Sequence, residues 1–152
     1  MTMERRDLSL LRHVAGQPRK SITILKEEKT VTNRTQAFGK AGEALAVRYL
    51  RKKGYRIIAQ NYRTKAGEID IIAREKRTLV FIEVKTRSSV KYGMPEEAVD
   101  EHKENALINA AHYYLETLSL EVEARFDVVS VILNEERSWV NHFVDAFSST
   151  AY

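Results

Sequence analysis

The segment from Gly67 to Arg87, GEIDIIAREKRTLVFIEVKTR, restricts the fold of this chain more than any other stretch. Read with a period of two, it forms two strands joined by a tight turn at Lys76-Arg77. Ile69, Ile71, Ala73, Val80, Ile82 and Val84 then share one apolar face, and Glu68, Asp70, Glu83 and Lys85 fall on the other. Pairing Glu75 with Thr78 around the turn sets Asp70 opposite Glu83 and Glu68 opposite Lys85. A slip of one residue would bury the charges, so the pattern itself selects this register. Directly opposed side chains have Cβ atoms roughly 4.5–5.5 Å apart. Two carboxylates about 5 Å apart repel by on the order of 3 kcal/mol at an effective dielectric of about 20. A fold tolerates that where a proton, a cation or bulk water relieves it, and a divalent metal is the sharpest of these solutions.

Composition narrows the classes. The chain has 152 residues, 43% hydrophobic and 30% charged, the balance of an ordinary globular protein with a real core. It has no cysteine, which excludes disulfides and thiolate metal sites. The four histidines, His13, His102, His112 and His142, lack the paired spacing of a zinc site. No apolar run approaches the roughly 20 residues of a membrane span, and the N-terminus is too polar for a signal peptide. A cytoplasmic location without membrane association is the expectation. The net charge of +4 hides a strong asymmetry. Residues 37–95 carry fourteen Lys/Arg against five acids, whereas residues 96–152 carry three against twelve. A basic segment around the acidic hairpin points to a polyanionic partner, although two surfaces that neutralise each other would give the same balance.

Residues 1–35 show little periodicity and read as a flexible basic extension; residues 36–152 read as one domain. TQAFGKAGEALAVRYLRKKG reads as a helix from Thr35, with Phe38, Ala41, Leu45 and Tyr49 inward and Gly54 as its stop. A strand over Tyr55 to Tyr62 and a turn through Lys65-Ala66-Gly67 lead into the hairpin. After the polar loop TRSSVKYGMP, Asp100 caps a second helix with Ala106, Leu107, Ala110, Ala111, Tyr114 and Leu115 inward. ARFDVVSVIL reads as a central strand, and SWVNHFVDAF as a last strand or short element near an edge. Helix, three strands, helix, one or two strands implies an α/β fold with a mixed sheet flanked by helices.

Asp70, Glu83 and Lys85 form a D…E-x-K arrangement on neighbouring strands. Hard carboxylate oxygens at this spacing suit Mg²⁺ or Mn²⁺, ions that keep several waters and lean on substrate phosphate for the rest of their shell. Lys85 can orient a water or contact a scissile phosphate. The bland alternative is an exposed sheet face with a Glu68–Lys85 ion pair. Glu43 follows Gly42, a helix-interior glycine that needs a packing or access reason; Glu43 either reaches the carboxylate pair or is surface charge. Arg63, Lys65, Arg87 and Lys91 flank the hairpin with Tyr62 and Tyr92 interleaved, and Lys103 lies near the start of the second helix. These cations could position a phosphate backbone, or belong to ordinary surface. Arg125 and Asp127 read as a structural pair, His102 and His112 as surface or groove positions of the second helix, and Trp139 as core or edge packing.

The string from FGKAGEALAVRYL through GEIDIIA and FIEVKTRSS, followed by YGMPEEAV, HK and RFDVV, resembles the YraN-like uncharacterised protein family. That family is grouped with the PD-(D/E)xK nuclease superfamily and is similar to archaeal Holliday-junction resolvases. The resemblance covers about residues 36–147 and implies the restriction-endonuclease-like αβββαβ core, making residues 36–152 a nuclease-like domain. By position it implies that Asp70, Glu83 and Glu43 hold the metal and that Lys85 is the catalytic lysine. It also implies a DNA partner, with Arg63, Lys65, Arg87, Lys91 and Lys103 as contacts, and a homodimer by analogy with resolvases. Relatives usually carry a basic cluster where this chain has Asp100-Glu101-His102-Lys103-Glu104. Three functions therefore stand at this point: a metal-dependent endonuclease, a non-catalytic nucleic-acid-binding or repair-accessory protein on the same scaffold, and an interaction protein that docks a basic partner.

Overall fold

The computed structural model describes residues 19–89, 100–119 and 121–148. Its elements run α1 (Arg19–Lys52), β1 (Arg56–Arg63), β2 (Glu68–Glu75), β3 (Thr78–Arg87), α2 (Glu101–Glu116), β4 (Ala124–Leu133) and β5 (Ser138–Phe147). The strands form one sheet in the order β1-β2-β3-β4-β5. All neighbours are antiparallel except β3 and β4, which are parallel because α2 carries the chain across the sheet between them. This is the restriction-endonuclease-like αβββαβ order, with β5 added at the edge. No helix among the described residues is long and apolar enough to cross a membrane.

The chain divides into two units, residues 1–36 and 37–152. Helix α1 begins at Arg19, well before the Thr35 that periodicity suggests. No proline or glycine interrupts the sequence between Pro18 and Gly39, so nothing breaks the helix there. The residues from Val31 to Gln36 are all exposed, and a periodic pattern marks only those turns of a helix that bury a face.

In the second unit, α1 covers one face of the sheet and α2 the other. Ala46, Val47 and Leu50 of α1 pack with Ile71, Ala73, Val80, Ile82, Val129 and Val131. Leu107, Ile108, Ala110 and Ala111 of α2 pack with Ile69, Ile72, Leu79, Phe81 and Phe126. The inward stripe of α1 is thus shifted from the predicted one: Leu45 and Tyr49 flank it, and Ala41 is exposed. The hairpin also departs from a one-faced amphipathic strand pair. Both its faces are buried, and Ile69 joins the α2-side core instead of following Ile71. Alternation breaks at Asp70.

Local signals end the elements where they should. Gly54, at φ +92°, closes α1, with Gly54 N–H donating to Arg51 O and Tyr55 N–H to Leu50 O, both at 3.0 Å. Asp100 caps α2 by accepting from His102 N–H at 3.2 Å. Two glycines let the helices approach the sheet closely. A Cβ on Gly67 would lie 2.5 Å from Ala106 O on α2. A Cβ on Gly42 of α1 would overlap Thr86 on β3, 2.6 Å from its Cγ2 and 2.7 Å from its Cβ. Gly42→Ala is expected to destabilise the protein by about 1–3 kcal/mol, the usual cost of overpacking. In denaturant titrations Thr86→Ala should recover part of that loss, because the two changes share one contact.

Candidate functional site

The pairing predicted for the hairpin holds from Glu75↔Thr78 to Ile71↔Ile82 and ends there. Asp70 and Glu83 are therefore not a ladder pair. The Asp70 carboxylate instead takes the place of the next backbone partner, accepting from Val84 N–H at 2.7 Å through Oδ2. That bond ties the splayed strands together and holds Asp70 beside Glu83. Burial pushes the Asp70 pKa up to about 7, and the charges of Glu83 and Glu43 push the same way against the Val84 hydrogen bond. Burial also raises Glu83, opposed by the positive charges of Lys103 and Lys85. For Asp70 the leading opposing effect is the Val84 hydrogen bond and not a cation.

Glu68, Asp70, Glu83, Lys103 and Ala106 line a cleft of about 280 Å³. A second cleft of about 420 Å³ adjoins it, lined by Glu83, Val84, Lys85, Thr86, Arg87, Asp100 and Lys103. Lys85 follows Glu83 on the same face of β3, and burial depresses its pKa against the raising effect of Glu83. Ser130, next to Lys85 across the parallel ladder, is 1% exposed and has no hydrogen-bond partner for its hydroxyl. A larger groove of about 640 Å³ at the end of α2, lined by Leu115, Glu116, Leu118, Ser119, Glu121 and Val122, contains none of these groups.

The remaining predicted residues separate clearly. Glu43 sits one residue from the Gly42–Thr86 approach, which brings its charge near Asp70. Among the described residues, however, no three His, Asp or Glu side chains come close enough together to hold a metal. Glu68, expected opposite Lys85, has a partner on another strand. It bonds Arg63 at 3.2 Å on β1, the nearer cation once the β1–β2 register sets those two residues opposite. Lys65 is exposed in a turn organised by Thr64, whose Oγ1 accepts from Ala66 and Gly67 N–H, both at 3.1 Å. Arg87 and Lys103 reach the second cleft. Lys91 and Tyr92 lie outside the described residues. His102 and His112 are exposed on α2, and Trp139 is 61% exposed on the edge strand.

A second polar cluster lies on the α1 side of the sheet. Asp127 is 0% exposed. It accepts from Arg125 Nε at 3.0 Å and from the Asp145 backbone N–H at 2.9 Å, and bonds His142 Nε2 at 2.7 Å. Arg125 also donates to Glu75 and to the Tyr55 hydroxyl, both at 2.8 Å. Burial alone would raise the Asp127 pKa; the His142, Arg125 and Asp145 hydrogen bonds outweigh it and hold the carboxylate below its ordinary range. The pairing of β4 with β5 shifts between Phe126 and Val128, and Asp145 takes φ +54°. Asp127 thus caps a bulge and braces three strands. The Arg–Asp pair expected from the sequence is present; His142 and Glu75 were not anticipated, because only the β5 bulge and the β2–β3 turn bring them there.

The model of the uncharacterised protein family UPF0102 matches residues 42–131, a span that contains Glu43, Asp70, Glu83, Lys85 and Lys103. The chain belongs to this family. A UPF0102 protein of Caldanaerobacter subterraneus is 45% identical over 113 residues, covering 72% of this chain and 93% of the relative. One from Syntrophus aciditrophicus is 49% identical, covering 72% and 87%, and one from Chlorobium limicola 48% identical, covering 73% and 92%. The YraN-like UPF0102 family lies in the PD-(D/E)xK-like nuclease superfamily, as the resemblance implied.

Proposed function

We propose that this UPF0102 protein is a metal-dependent endonuclease that hydrolyses DNA phosphodiester bonds, branched or recombining DNA among them. The observation that carries this reading is the half-buried Asp70–Glu83 pair, open to a cleft and adjoining a basic one that holds Lys85. Burial disfavours the charge on both carboxylates, and the charge of Glu83 adds to this at Asp70, which suits a divalent ion better than a structural role. With two donors in place, the pair fits an ion that completes its shell with water and substrate, as Mg²⁺ and Mn²⁺ do, and not a closed protein cage. Asp70 and Glu83 would hold the ion, with Glu43 as an outer acid. When bound, such an ion lowers the pKa of a water and offsets the charge that develops on the phosphate.

The chain's own residues supply the rest. Lys85 lies beside Glu83 in that cleft, so its Nζ can orient a water or contact the phosphate. Arg87 and Lys103 face the same cleft and would bind the phosphate backbone, and the exposed Arg63 and Lys65, with Lys91, would add further contacts. A second copy of the chain would allow cleavage of two strands.

A second reading rests on a specific observation. The first turn of α2 carries Glu101 and Glu104, and Asp100 lines the basic cleft. These acids would weaken phosphate binding and suit a non-catalytic, accessory role. One assay separates the two. Four-way junction, flap, single-stranded and plain duplex DNA are incubated with the protein in Mg²⁺, Mn²⁺ or EDTA. Cleavage is expected with either metal and not with EDTA. Binding without cleavage of any substrate in Mn²⁺ would favour the accessory role.

A further inference from the structure

Among the described residues, the two clefts share Glu83 and Lys103. One is acidic, with Glu68, Asp70 and Glu83 against a single lysine. The other is basic, with Lys85, Arg87 and Lys103 against Glu83 and Asp100. Lys103 stands on the exposed first turn of α2, and among the described residues no salt bridge fixes it. Its long side chain can therefore serve either cleft. We propose that Lys103 is a resident counter-ion, holding the place of the metal beside Glu83 and crossing to the basic cleft when metal and phosphate bind together. This rests on the metal-dependent reading of the site.

The physical chemistry is a competition for one carboxylate. In the free protein Lys103 lines the acidic cleft together with Asp70 and Glu83, so its ammonium offsets part of their charge. A divalent ion between Asp70 and Glu83 brings twice the charge to the same place and repels the ammonium. The adjoining cleft already holds Lys85 and Arg87, so a third cation is accommodated poorly until a phosphate arrives there. Lys103 thus couples the two ligands: metal releases it, and phosphate gives it a partner. By linkage, DNA must then tighten metal binding by the same factor that metal tightens DNA binding. In the free protein Lys103 keeps the acidic cleft from binding metal strongly before substrate is present.

The test is Mn²⁺ binding measured by calorimetry, with and without a short duplex, in Ca²⁺-free buffer under conditions too brief for cleavage. Lys103→Met is expected to bind Mn²⁺ roughly three- to tenfold more tightly than wild type without DNA. The tightening that DNA produces in the wild type should shrink in this variant. Lys103→Arg should keep the wild-type values, and Arg87→Met, which changes the basic cleft alone, should keep the DNA-free Mn²⁺ affinity within about twofold. If Lys103→Met binds Mn²⁺ no more tightly than wild type while Asp70→Asn abolishes binding, the counter-ion role fails and the metal site stands. If the wild type itself binds no Mn²⁺ with or without DNA, the metal site fails and the counter-ion role falls with it. Lys103 is exposed, so circular dichroism should show all the variants folded.

Discussion

Asp70→Asn should lose DNA cleavage by on the order of 10³-fold or more and at the same time make the protein more stable at pH 8. The two effects have one cause. Asp70 has a folded-state pKa pushed up to about 7 by burial, Glu83 and Glu43, from an ordinary value of 3.8. A raised carboxylate pKa means that the folded state binds the proton more tightly than the unfolded chain does. Stability is therefore fully present below about pH 3.8 and is lost as pH rises toward 7, where the folded protein must accept the charge. Taken in full, such a rise represents about 4 kcal/mol; solvent in the cleft screens part of it, and about 1–3 kcal/mol is expected. Asparagine removes the charge and can still accept from Val84 N–H. Denaturant titrations should show the variant and wild type converging near pH 4 and separating up to pH 7, with a constant gap above it. A variant that is less stable than wild type at pH 8 would contradict this account. Mn²⁺ must displace the same proton, so its affinity for the wild type should fall below pH 7.

Asp127→Ala is expected to be the most damaging single change to the fold. It removes the shared acceptor of Arg125, His142 and the bulged Asp145 N–H together, leaving Arg125 with only Glu75 and Tyr55 as partners among the described residues. Breaking a buried, hydrogen-bonded charge pair costs about 3–5 kcal/mol, a large share of the roughly 5–15 kcal/mol that holds a domain together. The pH dependence has the opposite sign to that of Asp70. The Asp127 pKa is depressed in the fold, so its contribution is present above the ordinary carboxylate value and is lost as pH falls through the folded one. Thermal melts of wild type and Asp127→Ala should differ most near neutral pH and converge in acid. Equal melting temperatures at pH 7 would show that Arg125 finds sufficient partners in Glu75 and Tyr55.

Periodicity and caps fixed more of this protein than its site. The Lys76-Arg77 turn, the Asp100 cap, the Gly54 stop and the central position of β4 are local or composition-driven, and each is found where the sequence places it. The strand register around the turn was legible for the same reason: a one-residue slip inverts the faces. Its end at Ile71↔Ile82 was not, because it depends on the Asp70 side chain outcompeting a backbone partner. Nor was the Arg63 partner of Glu68, which a neighbouring strand supplies.

The candidate site divides in the same way. That Glu83 and Lys85 share one side of β3 follows from their spacing alone, since a strand turns every second side chain to the same side, whereas the Val84 bond holds Asp70 beside them. What only the tertiary structure decided is everything that reaches them from elsewhere. Gly42 lets α1 close onto Thr86 and brings the charge of Glu43 to bear on Asp70; Gly67 lets α2 close onto β2, on the helix that carries Lys103 past Glu83. Those approaches depend on the volume missing at two glycines and on which face each helix covers, and neither quantity has a period in the sequence. The desolvation that raises Asp70 and lowers Lys85 follows from the same packing: a linear chain shows which residues carry charge, and only a packed one shows which charges have lost their water.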